Sequence, residues 1–252
     1  MPFNPVELAK ETERLVVRGD LRRYYRVARP GKWYGGIATS DCCGCNLRCV
    51  FCWSGAPRDR PGEIGDFYSP AQIFDSLTGC ARRVGYRQLR VSGNEPTLGS
   101  THMLGLLELV DRTEYQFILE TNGIMFGHEP AYAARLSEFG RVHVRVSLKG
   151  TNSQEFSRLT GATPQGFELQ LDALRNLTNA GVPCHAAVML SFSSEQGFQG
   201  LLERLRDIHH GLAEDVEKEY VFLYPGVVGR LRAAGIEPAV AYEPSRIPKE
   251  LV

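Results

Sequence analysis

Five of the seven cysteines of this 252-residue chain lie in one short stretch. The stretch runs from Asp41 to Ser54 and reads DCCGCNLRCVFCWS. Within it, Cys45, Cys49 and Cys52 have the spacing CxxxCxxC. Three thiolates on one loop can hold three irons of a 4Fe-4S cluster and leave the fourth iron open. Because an open iron can bind a substrate or a cofactor directly, this spacing indicates chemistry at a cluster.

The same cysteines admit three other interpretations. A structural zinc ion needs four protein ligands, which usually come as two separated pairs. The chain has no second pair, because Cys80 and Cys184 are isolated, although Cys42 or Cys43 could supply a fourth ligand. A ferredoxin-type electron carrier also needs a fourth cysteine. A disulfide between Cys42 and Cys43 is disfavoured, because bridged residues have Cα atoms about 4.4 to 6.8 Å apart, so we expect these two residues to pack at the end of a strand.

The composition limits the location and the partners of the protein. Hydrophobic residues make up 43% of the chain and charged residues 23%, which permits a sizeable core. Basic and acidic residues both number 29, so no net charge attracts the protein to nucleic acid, which remains a disfavoured partner. The N-terminal segment carries charges throughout, and no run approaches the roughly 18 apolar residues of a membrane span. We therefore expect a cytoplasmic protein that does not bind membranes and whose thiols stay reduced.

The cysteine loop must be positioned by the secondary structure around it. Short apolar runs alternate with longer amphipathic runs, which is typical of a parallel α/β fold. Predicted strands cover residues 36–40, 88–92, 116–120, 142–148, 184–190 and 220–224. Predicted helices begin at or next to Val6, Ser69, Ser100, Pro130, Asn152, Gln165 and Ser194. Capping residues or proline mark most of these starts.

These elements predict an architecture. Six strand–helix units are two short of a closed eight-stranded barrel, so we predict an α/β fold with a partial (β/α)6 barrel, open and TIM-like, in a single domain. Its predicted parts are an N-terminal helical extension at 1–34, a core domain at 35–225 and a C-terminal extension at 226–252 that ends in an irregular tail. The site of a parallel α/β fold lies at the C-terminal ends of the strands. The cysteine loop directly follows the first predicted strand.

The segment CNLRCVFC, from Cys45 to Cys52, resembles the signature CxxxCxΦC of the radical S-adenosylmethionine (SAM) superfamily, in which Φ is aromatic. Phe51 stands at the Φ position. The resemblance implies that Cys45, Cys49 and Cys52 hold a 4Fe-4S cluster, that SAM chelates the open iron, and that Phe51 packs near the adenine. It also implies that an external electron donor of flavodoxin or ferredoxin type reduces the cluster. SAM is then expected to be cleaved to methionine and a 5′-deoxyadenosyl radical that abstracts hydrogen from the substrate.

A second motif stands at the end of the second predicted strand. The segment Gly93-Asn94-Glu95-Pro96 resembles the GGEP motif of the superfamily, with Asn94 in place of the second glycine. That motif meets the amino group of SAM. The resemblance therefore implies that Gly93, Asn94 and Glu95 bind the cofactor.

Two further segments resemble the glycyl-radical activating enzymes, such as the pyruvate formate-lyase activating enzyme. Thr121 and Asn122 begin a TNG segment that these enzymes place against SAM. Ser147 and Lys149 belong to a segment similar to their D-x-K, with Ser147 where they carry aspartate. The resemblance implies that Lys149 neutralises the SAM carboxylate and takes part in catalysis, and that Met189 faces the adenine.

The resemblance covers residues 34–190 and leaves the substrate open. On the fifth predicted strand, Ala187 stands where the activating enzymes carry arginine. We expect a radical SAM enzyme that is similar to an activating enzyme and acts on a protein. The trio FCW, which ends at Trp53, also occurs in wybutosine-forming tRNA enzymes, so modification of a small molecule or tRNA is the alternative, and we expect Trp53 to shield the cluster. A zinc-binding interaction module is the alternative from another class.

Overall fold

Strands and helices alternate along residues 1–248, which are the residues that the computed structural model describes. The strands are β1 (Val17–Arg18), β2 (Leu21–Gly31), β3 (Ile37–Cys42), β4 (Asp66–Tyr68), β5 (Gln88–Ser92), β6 (Gln116–Thr121), β7 (Val142–Leu148), β8 (Cys184–Met189), β9 (Glu217–Glu219), β10 (Val221–Phe222) and β11 (Ala241–Tyr242). The α-helices are α1 (Pro5–Val16), α2 (Ala56–Asp59), α3 (Pro70–Val84), α4 (Ser100–Asp111), α5 (Ile124–His128), α6 (Pro130–Arg135), α7 (Ser153–Thr160), α8 (Gln165–Asn179), α9 (Glu195–Ile208), α10 (His210–Glu214) and α11 (Pro225–Ala234).

Six of these strands form the predicted parallel sheet. They run side by side in the order β3-β5-β6-β7-β8-β9, and every neighbouring pair is parallel. The first five lie within two residues of their predicted bounds at each end. The helix starts also agree, because Ser69, Asn152 and Ser194 cap α3, α7 and α9 with their side chains. The prediction of an open, partial (β/α)6 barrel is confirmed.

The sixth strand of the barrel does not lie where it was predicted. The prediction of a barrel strand at 220–224 is wrong, because the strand beside β8 is β9, in which Glu217 and Glu219 pair with Ala187 and Met189. The run at 220–224 contains β10, which pairs with β11 in a separate two-stranded sheet. The apolar sequence YVFLY predicts a strand buried in the barrel. The interior of this barrel is charged, however, and the strand that completes it carries two glutamates.

The two faces of the parallel sheet differ in polarity. The outer face carries apolar side chains such as Leu89, Phe117 and Val144, all 0% exposed in the main hydrophobic core. Successive side chains of a strand point to opposite faces, and the inner face carries polar ones. These are Thr39, Arg90, Glu120, Arg145, Glu217 and Glu219, which pair with one another across the strands.

The N-terminal segment contributes a strand as well as the predicted helix. After α1, the eleven-residue β2 runs antiparallel to β3, and the sequence pattern predicts no strand there. Its sequence LRRYYRVARPG lacks the apolar alternation of a half-buried strand, because two of the side chains that it buries are Arg22 and Tyr24, each 1% exposed. The predicted boundary at residue 34 falls between β2 and β3, which are neighbours in one sheet.

Arg22 ties β2 to the end of the barrel where the site was expected. One of its terminal nitrogens, Nη2, donates to the carbonyl of Cys43 at 2.6 Å and to that of Glu95 at 3.2 Å. These carbonyls belong to the loops that leave β3 and β5. A buried guanidinium therefore fixes the position of two loops that lie far apart in the sequence.

The C-terminal segment packs against the cysteine loop. In α11, Val227 and Leu231 form a second hydrophobic cluster with Met189, and Phe51 packs on its edge. The predicted irregular tail contains the short strand β11, and its residues 249–252 lie outside the described residues. Within residues 1–248, none of the helices has the length and apolar character needed to cross a membrane.

Replacing Arg22 with methionine should lower the free energy of unfolding by about 3 kcal/mol, because two buried carbonyls lose a charged donor. The measurement is urea-induced unfolding at equal cluster content. The control is Arg82→Met on the exposed last turn of α3, which should change stability by less than about 0.5 kcal/mol. Equal effects of the two substitutions would contradict the role given to Arg22.

Candidate active site

The three predicted ligands lie on the loop that follows β3. Cys45, Cys49 and Cys52 all carry free thiols. The loop backbone is held by the last two residues of α7, whose carbonyls accept from the N–H groups of Arg48 at 3.1 Å and Val50 at 2.9 Å. The helix after β7 thus positions the loop after β3, across the opening of the barrel.

The electrostatics of these thiols suit a bound cation. Burial raises the pKa of Cys45 well above its usual range, and the nearby charges of Glu95, Cys49 and Cys52 raise it further. Burial also raises the pKa of Cys49 to about 11, although the positive charge of Lys149 opposes this. Thiols in such surroundings ionise when a metal takes the place of their protons. Three free thiols on one loop are the donors that an iron–sulfur cluster uses, so the residues present fit such a cluster.

Each of the three cysteines has its backbone carbonyl bound by an arginine. In the order of the cysteines, the donors are Arg48 at 2.6 Å, Arg58 at 2.7 Å and Arg230. Arg58 is 5% exposed, and Arg230 comes from α11. Sequence reasoning missed all three: Arg48 and Arg58 are near their cysteines in the sequence but belong to no motif, and Arg230 reaches Cys52 from 178 residues away.

The segment after β5 has the backbone geometry that its glycine requires. Gly93 has a φ of +97°, and a Cβ there would lie 2.8 Å from the Cβ of Asp41. Asn94 is not in the left-handed region, and its Nδ2 donates to the carbonyl of Cys42 at 2.8 Å. Asparagine therefore fits in place of the second glycine. Cys42 and Cys43 are 0% exposed at the end of β3, which confirms the predicted packing.

The carboxylate of Glu95 joins the ends of β5 and β6. One oxygen accepts from the hydroxyls of Thr97 and Thr121, both at 2.7 Å. The other accepts from the backbone N–H of Asn122 at 2.8 Å. Glu95 is 1% exposed. Both oxygens of the Glu95 carboxylate thus accept hydrogen bonds from the loops after β5 and β6, and these bonds fix the positions of the two loops.

Asn122 brings the TNG segment to the cysteine loop. Its Nδ2 donates to Oδ1 of Asn46 at 2.7 Å and lies 3.8 Å from Sγ of Cys45. Its own Oδ1 accepts from the N–H of Ile124 at 3.0 Å, which begins α5. The predicted ligand Cys45 and the predicted SAM contact Asn122 thus lie side by side.

Gln170 on α8 connects the ends of β6 and β7, and sequence reasoning did not find it. Its Nε2 donates to the carbonyls of Asn122 at 2.5 Å and Ser147 at 2.9 Å, and its Oε1 accepts from the N–H of Lys149 at 3.1 Å. The side chain is 0% exposed. A signal was present, because Gln170 follows Phe167 by three residues on the buried face of α8, where an apolar residue is expected.

Lys149 lies at the end of β7 within a chain of polar contacts. Its Nζ donates to the hydroxyl of Ser147, which donates to Oε2 of Glu219 at 2.5 Å. The other oxygen of Glu219 lies 3.0 Å from Nη2 of Arg145. Burial alone would raise the pKa of Glu219, but Arg145 and Lys149 outweigh it and the net pKa is lowered. Glu219 was missed because the sixth strand was placed after it.

Phe51 and Met189, the residues predicted to pack on the adenine, lie in the same part of the molecule. The ring of Phe51 packs on that of Phe192 at a centroid distance of 5.6 Å. Phe51 also contacts the hydrophobic cluster that contains Met189. Trp53 is 48% exposed, and its predicted role as a shield of the cluster stays a prediction.

Deeper in the barrel, the interior is filled by paired charges. Arg90 donates to Glu120 at 2.5 Å, and the hydroxyl of Tyr34 donates to the same carboxylate oxygen at 2.9 Å. Arg145 makes two bonds to Glu217, at 2.7 and 2.6 Å. Burial would raise the pKa of Glu217, but Arg145 lowers it to about 2. Both glutamates are therefore ionised at neutral pH.

Comparison with protein families decides where the chain belongs. Residues 40–205, more than half of the chain, match the radical SAM superfamily. The chain belongs to the radical SAM superfamily. Members of this superfamily use a 4Fe-4S cluster and SAM, which are therefore the cofactors of this radical SAM protein. The match favours an enzyme over a zinc-binding interaction module.

Two curated relatives are similar to part of this radical SAM protein. The mycofactocin maturase MftC of Mycolicibacterium smegmatis is 31% identical over 140 residues, which are 54% of this chain and 32% of the maturase. A probable GTP 3′,8-cyclase of Pyrobaculum aerophilum is 27% identical over 136 residues, which are 54% of this chain and 40% of the cyclase. The chain spans well under two thirds of the length of either relative, and neither is named as an activating enzyme.

Solved structures confirm the fold of this radical SAM protein. SuiB of Streptococcus suis, bound to the precursor peptide SuiA, superposes with a TM-score of 0.53 at 19% identity, over 65% of this chain and 35% of SuiB. Spore photoproduct lyase complexed with a dinucleoside spore photoproduct gives a TM-score of 0.53 at 14% identity, over 76% of this chain and 58% of the lyase. At these identities the likeness shows the fold alone.

Replacing Gln170 with methionine should loosen the ends of β6 and β7, because three buried backbone groups lose their partner. We expect hydrogen exchange at residues 121–124 and 147–150 to become about tenfold faster or more. Mass spectrometry of the exchanged amides measures it. The control is Gln199→Met, on the exposed face of α9, which should leave these segments unchanged. Unchanged exchange in Gln170→Met would refute the connecting role.

Proposed function

We propose that this radical SAM protein holds a 4Fe-4S cluster through Cys45, Cys49 and Cys52 and cleaves SAM reductively. The observation that carries the proposal is the position of three free thiols on the loop after the first barrel strand, where the charges of Cys49 and Cys52 raise the pKa of Cys45. The superfamily match over residues 40–205 supports the same assignment.

The chain's own residues bind and orient the reactants, while the cofactors supply the chemistry. When bound and reduced, the cluster supplies the electron that cleaves SAM to methionine and a 5′-deoxyadenosyl radical, which abstracts hydrogen from the substrate. Arg48, Arg58 and Arg230 hold the backbone of the cysteine loop by donating to the carbonyls of the three cysteines, and the charge of Arg58 opposes the rise in the pKa of Cys49. Helix α11 packs against Phe51 of the cysteine loop through Val227 and Leu231.

We propose that the loops after β5 and β6 receive the amino end of SAM. Gly93 and Asn94 offer backbone groups at the strand end, next to the cysteine loop. Glu95 acts by holding Thr121 and Asn122, since its carboxylate accepts their hydrogen bonds. Asn122, 3.8 Å from the Cys45 sulfur, places its amide beside the predicted cluster.

The carboxylate and adenine ends of SAM are assigned to the other side of the barrel. Lys149 offers the cation for the SAM carboxylate, and it lies close enough to Cys49 for its charge to oppose the rise in the pKa of that thiol that burial causes. Ser147 fixes the ammonium through its hydroxyl. Phe51 and Met189 offer apolar surface for the adenine. Lys149 is the residue that we expect to affect catalysis most after the cysteines.

For the substrate we propose a peptide or a small molecule. Support comes from relatives named as a mycofactocin maturase and a GTP cyclase, and from the likeness to SuiB, which was solved with a precursor peptide. Activation of a glycyl-radical protein is the second candidate, favoured by the TNG and SLK segments at two strand ends. Modification of tRNA is disfavoured, because the net charge is zero. We propose a flavodoxin or a ferredoxin as the electron donor.

Replacing all three of Cys45, Cys49 and Cys52 with alanine should reduce the iron content after anaerobic reconstitution from about four per chain to below about one. The same variant should form no 5′-deoxyadenosine from SAM after reduction. Iron analysis and chromatography measure the two results. The matched control is Cys184→Ala at the start of β8, which should keep both properties. Retention of the cluster and of SAM cleavage by the triple variant would refute the assignment.

The substrate class is tested by measuring 5′-deoxyadenosine formation with the reduced holoenzyme. We expect candidate peptides or nucleotides to raise its rate about tenfold or more over the rate without substrate, because the bound substrate supplies the hydrogen atom. Incubation with a glycyl-radical protein should produce no protein radical in the electron paramagnetic resonance spectrum. Appearance of that radical would favour the activating-enzyme candidate instead.

A further inference from the structure

We propose that Glu219 on β9 is a positioning residue that orients Lys149 toward the cofactor through the hydroxyl of Ser147. The inference rests on the proposed function, in which Lys149 meets the SAM carboxylate. It concerns a residue on the strand that sequence reasoning placed wrongly.

The direction of the hydrogen bonds is fixed by the groups themselves. A lysine ammonium can only donate, and an ionised carboxylate can only accept, whereas a hydroxyl does both. Ser147 therefore accepts from Lys149 Nζ and donates its single proton to Glu219 at 2.5 Å. The hydroxyl of Ser147 thus links the ammonium of Lys149 to the carboxylate of Glu219 by two hydrogen bonds.

Glu219 is held ionised and in place by a second cation. Nη2 of Arg145 lies 3.0 Å from the oxygen that Ser147 does not use. Arg145 is 7% exposed and also binds Glu217, so it is fixed from two sides. The carboxylate of Glu219 can therefore not turn away from Ser147 without leaving a buried guanidinium with one partner fewer.

The contact between β7 and β9 crosses the intervening strand β8 diagonally. On β8, Ala187 pairs with Ser147 on one side and with Glu217 on the other, whereas Glu219 pairs with Met189, two residues further along. Strands two positions apart are about 9.5 Å apart, so the contact needs a long side chain and little between. Glutamate supplies the length and alanine the space. A long side chain at position 187 would fill the gap.

Serine at 147, alanine at 187 and glutamate at 219 are thus consistent with one another. An aspartate at 147 lies on the same face as Lys149, two residues along the strand, and could pair with it directly. With serine there, the charge must come from elsewhere, and the glutamate 72 residues further along the chain provides it.

The first test measures Lys149 alone, without SAM. In the holoenzyme, acylation of Lys149 by an amine-reactive reagent should become about threefold faster or more in Glu219→Gln, because the lysine loses the charge that holds it. Mass spectrometry measures the modification. The matched control is Glu214→Gln, which removes an exposed carboxylate at the end of α10 and should leave the rate at Lys149 unchanged.

The second test measures SAM binding to the oxidised holoenzyme by equilibrium dialysis, so that no turnover occurs. The affinity should fall about tenfold in Glu219→Gln and be unchanged in the control Glu214→Gln. The double variant Ser147→Asp with Glu219→Gln should regain the native affinity within about threefold and the native acylation rate. A merely structural role of Glu219 does not predict this rescue.

The two tests separate the two proposals. Native acylation of Lys149 in Glu219→Gln, or failure of the Ser147→Asp rescue, overturns the positioning role of Glu219. If the native holoenzyme binds no SAM, the proposed function fails, and the acylation rates still decide whether Glu219 holds Lys149.

Discussion

Arg145 lies inside the barrel with 7% of its surface exposed, where a guanidinium without partners would cost several kcal/mol. It is balanced by Glu217 and Glu219 on β9, two strands away. This pairing holds β9, the sixth strand of the barrel, at the edge of the sheet. The strand is short and charged, whereas a strand at this position is usually apolar. Arg90 and Glu120 repeat the arrangement on β5 and β6. Because the charges are matched inside the barrel, its interior can remain polar below the strand ends that carry the site.

The strand ends themselves are joined by two buried polar side chains. Glu95 binds the loop after β6 from the loop after β5, and Gln170 binds the loops after β6 and β7 from a helix. Each satisfies backbone groups that the end of a strand leaves without a partner. The loops after three neighbouring strands are therefore held as one unit, which is what preorganised binding of a cofactor requires.

The segments that precede and follow the parallel strands each contact the cysteine loop through an arginine. Arg22 of β2 binds the carbonyl of Cys43, and Arg230 of α11 binds that of Cys52. Arginine suits this role because its guanidinium presents several donors in a fixed plane and stays charged when buried. The segments outside the six parallel strands thus complete the site, although the barrel alone defines the fold.

The sequence by itself determined the cysteine motif, five of the six barrel strands and the loops at their ends, because these depend on local spacing and apolar pattern. It pointed to Lys149 and Asn122 for the same reason, since their motifs are contiguous. It did not reveal Glu219, Gln170 or Arg22, whose partners lie up to 73 residues away. Only the tertiary structure decided the sixth strand and these contacts, because a buried charge is stabilised by a partner from another strand, and no local pattern records which strand that is.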